Sequence, residues 1–398
     1  MVNEKMRDLG ARRSVIRELF EYGKKRKAEI GAENVFDFSI GNPSVPAPEA
    51  VGEVLGSLLT EKDPVTLHGY TSAQGDAGVR RAITDYLSKT HGIETDPDLI
   101  YLTVGAAASL TVTLTAVLNQ GDEVILLAPF FPEYRVFVER TGAKVVPVMC
   151  EAGTFQPDFE ALRAAINERT RAIIVNSPNN PTGAVLTEEN AKRLGSLLDA
   201  CEKEYGTDIY LLADEPYREL VYGDVKVPFL HAYYGNTVVC YSFSKSLSLP
   251  GERIGYIMVS PKAREPIALY QAICGAGRAL GFVCAPALFQ YMIPRVLGMT
   301  SNITVYDTNR KLLYDALTAY GYEAVKPDGA FYLFVKALEE DANAFCERAK
   351  EHELLLVASD SFGCPGYVRI SYCVTTEQIE RSLPAFRALA ESYGVKGK

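Results

Sequence analysis

From about Leu99 to Val259 the chain alternates short, unbroken apolar runs with longer stretches of helical spacing, and this alternation restricts the fold more than any other feature. The runs are Leu99–Val104, Glu123–Ala128, Lys144–Met149, Ala172–Asn176, Ile209–Ala213, Thr237–Phe243 and Ile254–Val259. Helical patterns stand between several of them, such as Phe159–Asn167 and Glu188–Tyr205, and Lys262–Ile273 follows the last. Apolar, β-branched runs bounded by turn signals read as strands buried on both faces. Strands alternating with helices predict an α/β fold with a mainly parallel, seven-stranded sheet covered on both sides. Right-handed crossovers then carry the strand-to-helix loops to one sheet edge, where ligands of such sheets bind.

The flanks read differently. Arg12–Glu29 has helical spacing, Phe36–Ile40 alternates like a short strand and runs into the turn Gly41-Asn42-Pro43, and Ala50–Leu59 and Gly78–Lys89 look helical. After Pro286 come helical patterns at Pro286–Leu297 and Tyr306–Tyr320. Strand-like runs follow at Gly329–Phe334, Leu354–Val357 and Tyr367–Ser371, then a last helix over Thr376–Ser392. A chain of 398 residues exceeds one small core. The expected division is an N-terminal segment 1–44 packing with a small α+β domain 286–398, and a large domain 45–285.

A net charge of −9 without a basic tail argues against nucleic acid as a partner. The first residues are charged and have no continuous apolar core, and no run is long enough for a membrane span. Eight cysteines scattered singly, none in a Cys-x-x-Cys pair, read as free thiols in a reducing cytoplasm. The four histidines show no metal-ligand spacing, so no metal is expected.

The loops after the strands carry the chemistry. Tyr241 to Tyr256 places Ser242, Ser244, Lys245, Ser246, Ser248 and Arg253 on one polar connection between two buried strands. Lys245, once desolvated, would lose its proton and attack a carbonyl, while the serines and Arg253 would hold a phosphate; the alternative is a solvated polar loop. Gly105-Ala106-Ala107-Ala108-Ser109 opens a helix with small residues, either as a phosphate seat or as a tight turn. Asn176-Ser177-Pro178-Asn179-Asn180-Pro181-Thr182-Gly183 is a loop restrained by two prolines and a glycine, with side-chain amides at Asn176 and Asn180. Asp214, in Asp214-Glu215-Pro216-Tyr217, is either a helix cap or the partner of a protonated ring nitrogen, with the Tyr217 hydroxyl beside it. The aromatics of Pro129-Phe130-Phe131-Pro132-Glu133-Tyr134 belong to the core or stack on a planar ring. Together these are the parts that hold pyridoxal phosphate.

The strings Asn-x-Pro-x-Asn-Pro-Thr-Gly, Asp-Glu-x-Tyr and Ser-x-Ser-Lys-x7-Arg, in this order, make the chain resemble the class I/II aminotransferases of the pyridoxal-phosphate fold-type I superfamily. The resemblance runs from Gly41-Asn42-Pro43 to Arg369. It implies a Schiff base between Lys245 and pyridoxal 5'-phosphate, with Lys245 also moving the proton at the substrate Cα. It implies Asp214 on the pyridine nitrogen, Asn180 and Tyr217 on the ring hydroxyl, and Phe131 stacked on the ring. Gly105, Ala106, Ala107, Ser242, Ser244 and Arg253 would hold the phosphate, joined by Tyr70 across a homodimer interface with shared active sites. Arg369 would bind the substrate α-carboxylate, with Gly41 and Asn176 making further contacts to it. Phe131 stands where tryptophan or tyrosine is frequent, and Leu249-Pro250-Gly251-Glu252 is a variant linker; neither removes a catalytic group.

The implied reaction moves an amino group from an L-amino acid to a 2-oxo acid. Arg278 stands near the place where aspartate-type members carry an arginine for a second carboxylate on the neighbouring subunit, which points to an aspartate- or glutamate-type donor. An interface ion pair or a phosphate contact is the alternative for that residue. The nearest rival activity on the same fold is a carbon–sulfur β-lyase. A cofactor-binding regulator is a further class, disfavoured by the short segment ahead of Gly41 and the acidic charge.

Overall fold

In a computed structural model of the chain, residues 2–11, 15–395 and 397 are described. The strands are β1 (Phe36–Asp37), β2 (Ile100–Thr103), β3 (Glu123–Ala128), β4 (Lys144–Met149), β5 (Thr170–Asn176), β6 (Tyr210–Asp214), β7 (Thr237–Ser242), β8 (Gly255–Val259), β9 (Tyr332–Lys336), β10 (Leu354–Leu355), β11 (Val357–Ala358) and β12 (Tyr367–Ser371). Seven of them form one sheet in the order β2-β8-β7-β6-β5-β3-β4. Every neighbour in it pairs parallel except β8, which runs antiparallel to both β2 and β7. The mainly parallel sheet is as expected. Its central strands read as unbroken apolar runs because helices cover both faces: all of β7 and β8 is buried.

Helices begin and end where local chemistry satisfies their free backbone groups. Side chains of Asp63, Asp76, Asp158, Thr187, Asn302, Asp341 and Thr375 accept hydrogen bonds from first-turn N–H groups. Gly206 and Gly281 end their helices in the left-handed conformation. The helix expected over Lys262–Ile273 is Pro266–Leu280 instead. Pro266 favours the first turn, and the helix runs through two interior glycines, of which Gly277 packs directly on the Tyr101 hydroxyl where a Cβ has no room.

Beyond the large sheet, β11, β12 and β9 form an antiparallel sheet, and β1 pairs parallel with β10. The single run expected over Leu354–Val357 is thus divided between two sheets. Of the alternation Phe36–Ile40, only Phe36–Asp37 pairs; Ser39 turns back instead, its N–H donating to Asp37 Oδ1 at 3.1 Å. The run expected at Gly329–Phe334 pairs later, from Tyr332, because Ala330 takes a φ of 54°. The first expected helix runs over Val15–Ile30; the Arg12 to Ser14 part of that expectation lies outside the described residues. Helices Glu4–Ala11, Pro64–His68, Glu133–Glu139 and Ala342–Glu351 were not foreseen. The helix Val15–Ile30 is tied to the C-terminal part by an ion pair from Arg26 to Glu353 (2.5 Å), while Lys27 pairs with Asp37 (2.8 Å).

Candidate active site

The carboxyl ends of β5, β6 and β7 open into a cavity of about 270 Å³. It gathers Gly41, Ala106, Ala107, Phe131, Asn176, Asn180, Asp214, Tyr217, Ser242, Ser244, Lys245, Arg253 and Arg369 in its wall. Residues spread over most of the chain thus meet at one place, at the sheet edge where the topology directs a ligand.

One turn of helix, Phe243–Ser246, follows β7 and carries Lys245. The Ser242 hydroxyl caps that turn, accepting from Ser244 N–H at 3.1 Å, and the two serine hydroxyls lie 2.6 Å apart. Lys245 Nζ donates to the Gly41 carbonyl at 2.6 Å and sits 5.5 Å from the centre of the Phe331 ring. No carboxylate contacts the amine among the described residues. Burial brings the Lys245 amine down to about 8, opposed by Cys373 and assisted by Arg369 and Arg253.

Asp214 ends β6 beneath the cavity. The Tyr134 hydroxyl donates to its Oδ2, Asn176 Nδ2 donates to its main-chain carbonyl at 2.8 Å, and its Oδ1 is buried without a partner. Burial raises the Asp214 carboxyl to about 7, against the Tyr134 hydrogen bond and with help from neighbouring Glu215. Glu215 itself is paired with Arg218, whose Nε lies 2.6 Å from Oε2, so Asp214 is the carboxylate left facing the cavity. Asn176 lines the wall, yet both ends of its amide are engaged by the protein: Oδ1 accepts from Asn180 N–H at 2.7 Å.

Arg369, on β12, is 2 % exposed. Its Nη1 donates to Asn180 Oδ1 at 3.1 Å and its Nη2 to the Ser39 carbonyl at 2.5 Å, while Nε has no partner. The guanidinium lies over the rings of Tyr332 (4.8 Å) and Phe362 (5.2 Å). No carboxylate neutralises it among the described residues, and burial pulls it below the ordinary arginine range. The bond from Arg369 leaves the Asn180 amide nitrogen as the end available to a ligand.

Opposite these groups, Gly105 holds a φ of 91° and opens the helix Ala106–Val117. A Cβ there would lie 2.7 Å from Arg253 Nη2, so a glycine lets the guanidinium close onto the helix N-terminus. Helix N–H groups, an arginine and two serine hydroxyls make an anion cradle. The cradle, the unpartnered Asp214 oxygen and the desolvated lysine fit the phosphate, ring nitrogen and aldehyde of pyridoxal phosphate.

Two expected residues lie elsewhere in this chain. Tyr70 is 98 % exposed, and Arg278 is exposed in the last turn of the helix Pro266–Leu280; neither lines the cavity. Conversely, Tyr134, Tyr332 and the apolar wall of Ile16, Ile40, Leu110 and Phe137 were not foreseen. Tyr134 stood in a motif read only for its aromatic character. Tyr332 sits in a strand whose alternation gives no sign of chemistry.

The family model for aminotransferase class I and II matches residues 33–386. The aspartate aminotransferase of Thermotoga maritima is 31 % identical over 92 % of this chain and 95 % of its own. A valine–pyruvate aminotransferase of Mycobacterium tuberculosis is 32 % identical over 88 % of this chain and 89 % of its own. The crystal structure of an aminotransferase from Eubacterium rectale superposes with a TM-score of 0.97 at 57 % identity, covering 99 % of both chains.

Proposed function

The chain belongs to the class I and II aminotransferases, pyridoxal-phosphate enzymes that exchange amino groups between amino acids and 2-oxo acids, and from that premise we propose the division of labour among its residues. The observation that carries it is Arg369: a buried cation with no carboxylate partner among the described residues, beside a desolvated lysine. An α-amino acid brings the missing carboxylate to Arg369 and so sets its amino group and Cα toward Lys245.

When bound, pyridoxal phosphate supplies an electron sink for the bonds at the substrate Cα. Asp214 would keep the ring nitrogen protonated by giving it a buried counter-charge; Tyr134 holds that carboxylate and Asn176 holds the main-chain carbonyl of the same residue. Tyr217 and the Asn180 amide nitrogen would donate to the ring oxygen. Ser242, Ser244, Arg253 and the helix N-terminus at Ala106 and Ala107 would hold the phosphate, and Phe131 would pack against the ring. Lys245 would hold the cofactor and then move the proton at Cα, which needs an amine neutral near pH 8 rather than pH 10.5. Gly41 receives the lysine on its carbonyl. Asn176 positions Asp214 and Asn180 and, as the resemblance implies, would make a further contact to the substrate carboxylate.

The active form is a homodimer with two shared sites: exposed Tyr70 reaches the phosphate of the other subunit. A dicarboxylic donor of the aspartate or glutamate type needs a second cation, and Arg278 of the partner subunit supplies it. Eight unpaired cysteines support a reducing, cytoplasmic setting. The deciding assay is a panel of amino donors against 2-oxoglutarate, pyruvate and oxaloacetate, following the oxo-acid products. Release of pyruvate and ammonia without any acceptor would replace this reading with a β-lyase.

A further inference from the structure

Tyr332 is the common neighbour of three groups in the cavity. Its hydroxyl lies 2.9 Å from the Tyr217 hydroxyl. The same oxygen rests against Gly41, where a Cβ would have no room, and Gly41 is the residue whose carbonyl receives Lys245. Its ring carries the Arg369 guanidinium at 4.8 Å and meets the Tyr217 ring edge-on, with centroids 5.7 Å apart.

The direction of the Tyr217–Tyr332 bond follows from the seat proposed for the ring oxygen. Among the described residues the buried Tyr332 hydroxyl has one hydrogen-bond partner, Tyr217. Both residues border the cavity. A Tyr217 hydroxyl that gives its proton to the ring oxygen keeps only its lone pairs for Tyr332, so Tyr332 donates and both protons are placed. A hydroxyl that accepts a hydrogen bond is also the better donor. The titratable groups facing the pair are Arg369, Asp214 and Cys373. Burial pushes Tyr332 to about 12 and Tyr217 also upward, so both phenols keep their protons near neutrality.

We propose that Tyr332 is a positioning residue that donates to Tyr217 and thereby turns the Tyr217 proton toward the cofactor's ring oxygen, while its ring steadies the cation that takes the substrate carboxylate. This rests on the cofactor seat proposed above. The ring oxygen bears most charge once the neighbouring nitrogen has lost its proton, so a weaker donor at Tyr217 disfavours that form.

The test uses the cofactor-loaded enzyme and the pH midpoint of the bound cofactor's absorbance change, without substrate. In Tyr332→Phe the midpoint should rise by a few tenths of a unit, about 10–30 % of one hydrogen bond to a charged oxygen, because the Tyr217 bond itself remains. Its kcat should fall while KM for the amino donor holds, because the ring is kept. Tyr332→Leu, which loses the ring as well, should show the same midpoint and a raised KM; it also serves should the Phe variant not fold. In a Tyr217→Phe background, adding Tyr332→Phe should move the midpoint no further. An unmoved midpoint in either folded Tyr332 variant, or a full further shift in the double variant, overturns the inference. A wild-type protein that shows no bound-cofactor absorbance overturns instead the seat on which it rests.

Discussion

Replacing Arg369 by methionine separates the cost of holding a bare cation from its use. In the free protein the guanidinium is 2 % exposed, and removing such a charge from water costs several kcal/mol. Its unpartnered Nε adds about 1–3 kcal/mol. Against this stand two charge-assisted hydrogen bonds, to Asn180 and Ser39, at about 1.5–3 kcal/mol each. Two ring faces contribute about 0.5–2 kcal/mol each. The opposing contributions nearly cancel. Methionine is close in length and apolar, and water in the cavity can donate to Asn180 Oδ1 in place of the guanidinium. Arg369→Met should therefore change stability by less than about 2 kcal/mol in either direction, or about 2 °C in Tm for a chain this long. The substrate fares differently. A carboxylate brought to the cavity without its cation loses about 3–5 kcal/mol, or about a hundredfold to a few thousandfold in kcat/KM. Calorimetry of the cofactor-loaded enzyme, beside kcat/KM for an amino acid and for a simple amine without a carboxylate, checks both halves. The amine should be indifferent to the substitution. A Tm lowered by more than about 5 °C, or a kcat/KM for the amino acid within about tenfold of wild type, would refute the reasoning.

Three further outcomes follow from the same geometry. In the cofactor-free protein, the reaction of Lys245 with an amine-modifying reagent, followed by mass spectrometry, should show a midpoint near pH 8, because burial disfavours the ammonium form; a midpoint near that of surface lysines contradicts the desolvation argument. Burial raises Asp214 from 3.8 to about 7, so the folded state binds more protons than the unfolded one in that interval and stability falls as pH rises through it; Asp214→Asn should flatten that fall in thermal melts while weakening cofactor retention by about tenfold or more. Arg278→Ala should lower kcat/KM for aspartate and glutamate far more than for alanine, and an equal loss for all donors with faster cofactor release assigns the residue to the phosphate instead.

The parallel sheet was legible because its central strands are buried on both faces and so have few polar positions to blur the apolar run, as in Tyr210–Asp214 and Thr237–Ser242. The loops were legible for a different reason. Asp214 ends its strand and Lys245 and Asn180 stand just beyond theirs, and parallel topology alone sends all such ends to one edge. The missed helices lack that support. Glu133–Glu139 is only two turns long and follows a proline, and Ala342–Glu351 is recognisable chiefly by its Asp341 cap. Tyr332 was hidden on different grounds. Its role depends on a hydroxyl meeting Tyr217 across a long separation in sequence, and no local pattern encodes which strand residue will face which loop.

The charges explain why the legible residues are also the chemical ones. Lys245, Arg369 and Asp214 share one cavity, and for each of them burial works against the charged form: the lysine and arginine are pushed down and the aspartate up. Inside the protein they are held apart. The lysine spends its hydrogen bond on a carbonyl, the arginine on an amide and a carbonyl, and the aspartate on a phenol. Had they paired with one another, each would be stabilised and none would be available. Because they do not, in the proposed division of labour an α-amino carboxylate would answer Arg369, a protonated ring nitrogen Asp214 and an aldehyde carbon the neutral Lys245. Each ligand group relieves a burial cost already present in the fold, so binding is selective for molecules that carry the complementary group in the right place. The same cost is why these side chains stand out in the sequence: a lysine among serines after a buried strand, or an aspartate at the end of an apolar run, has no reason of stability to be there.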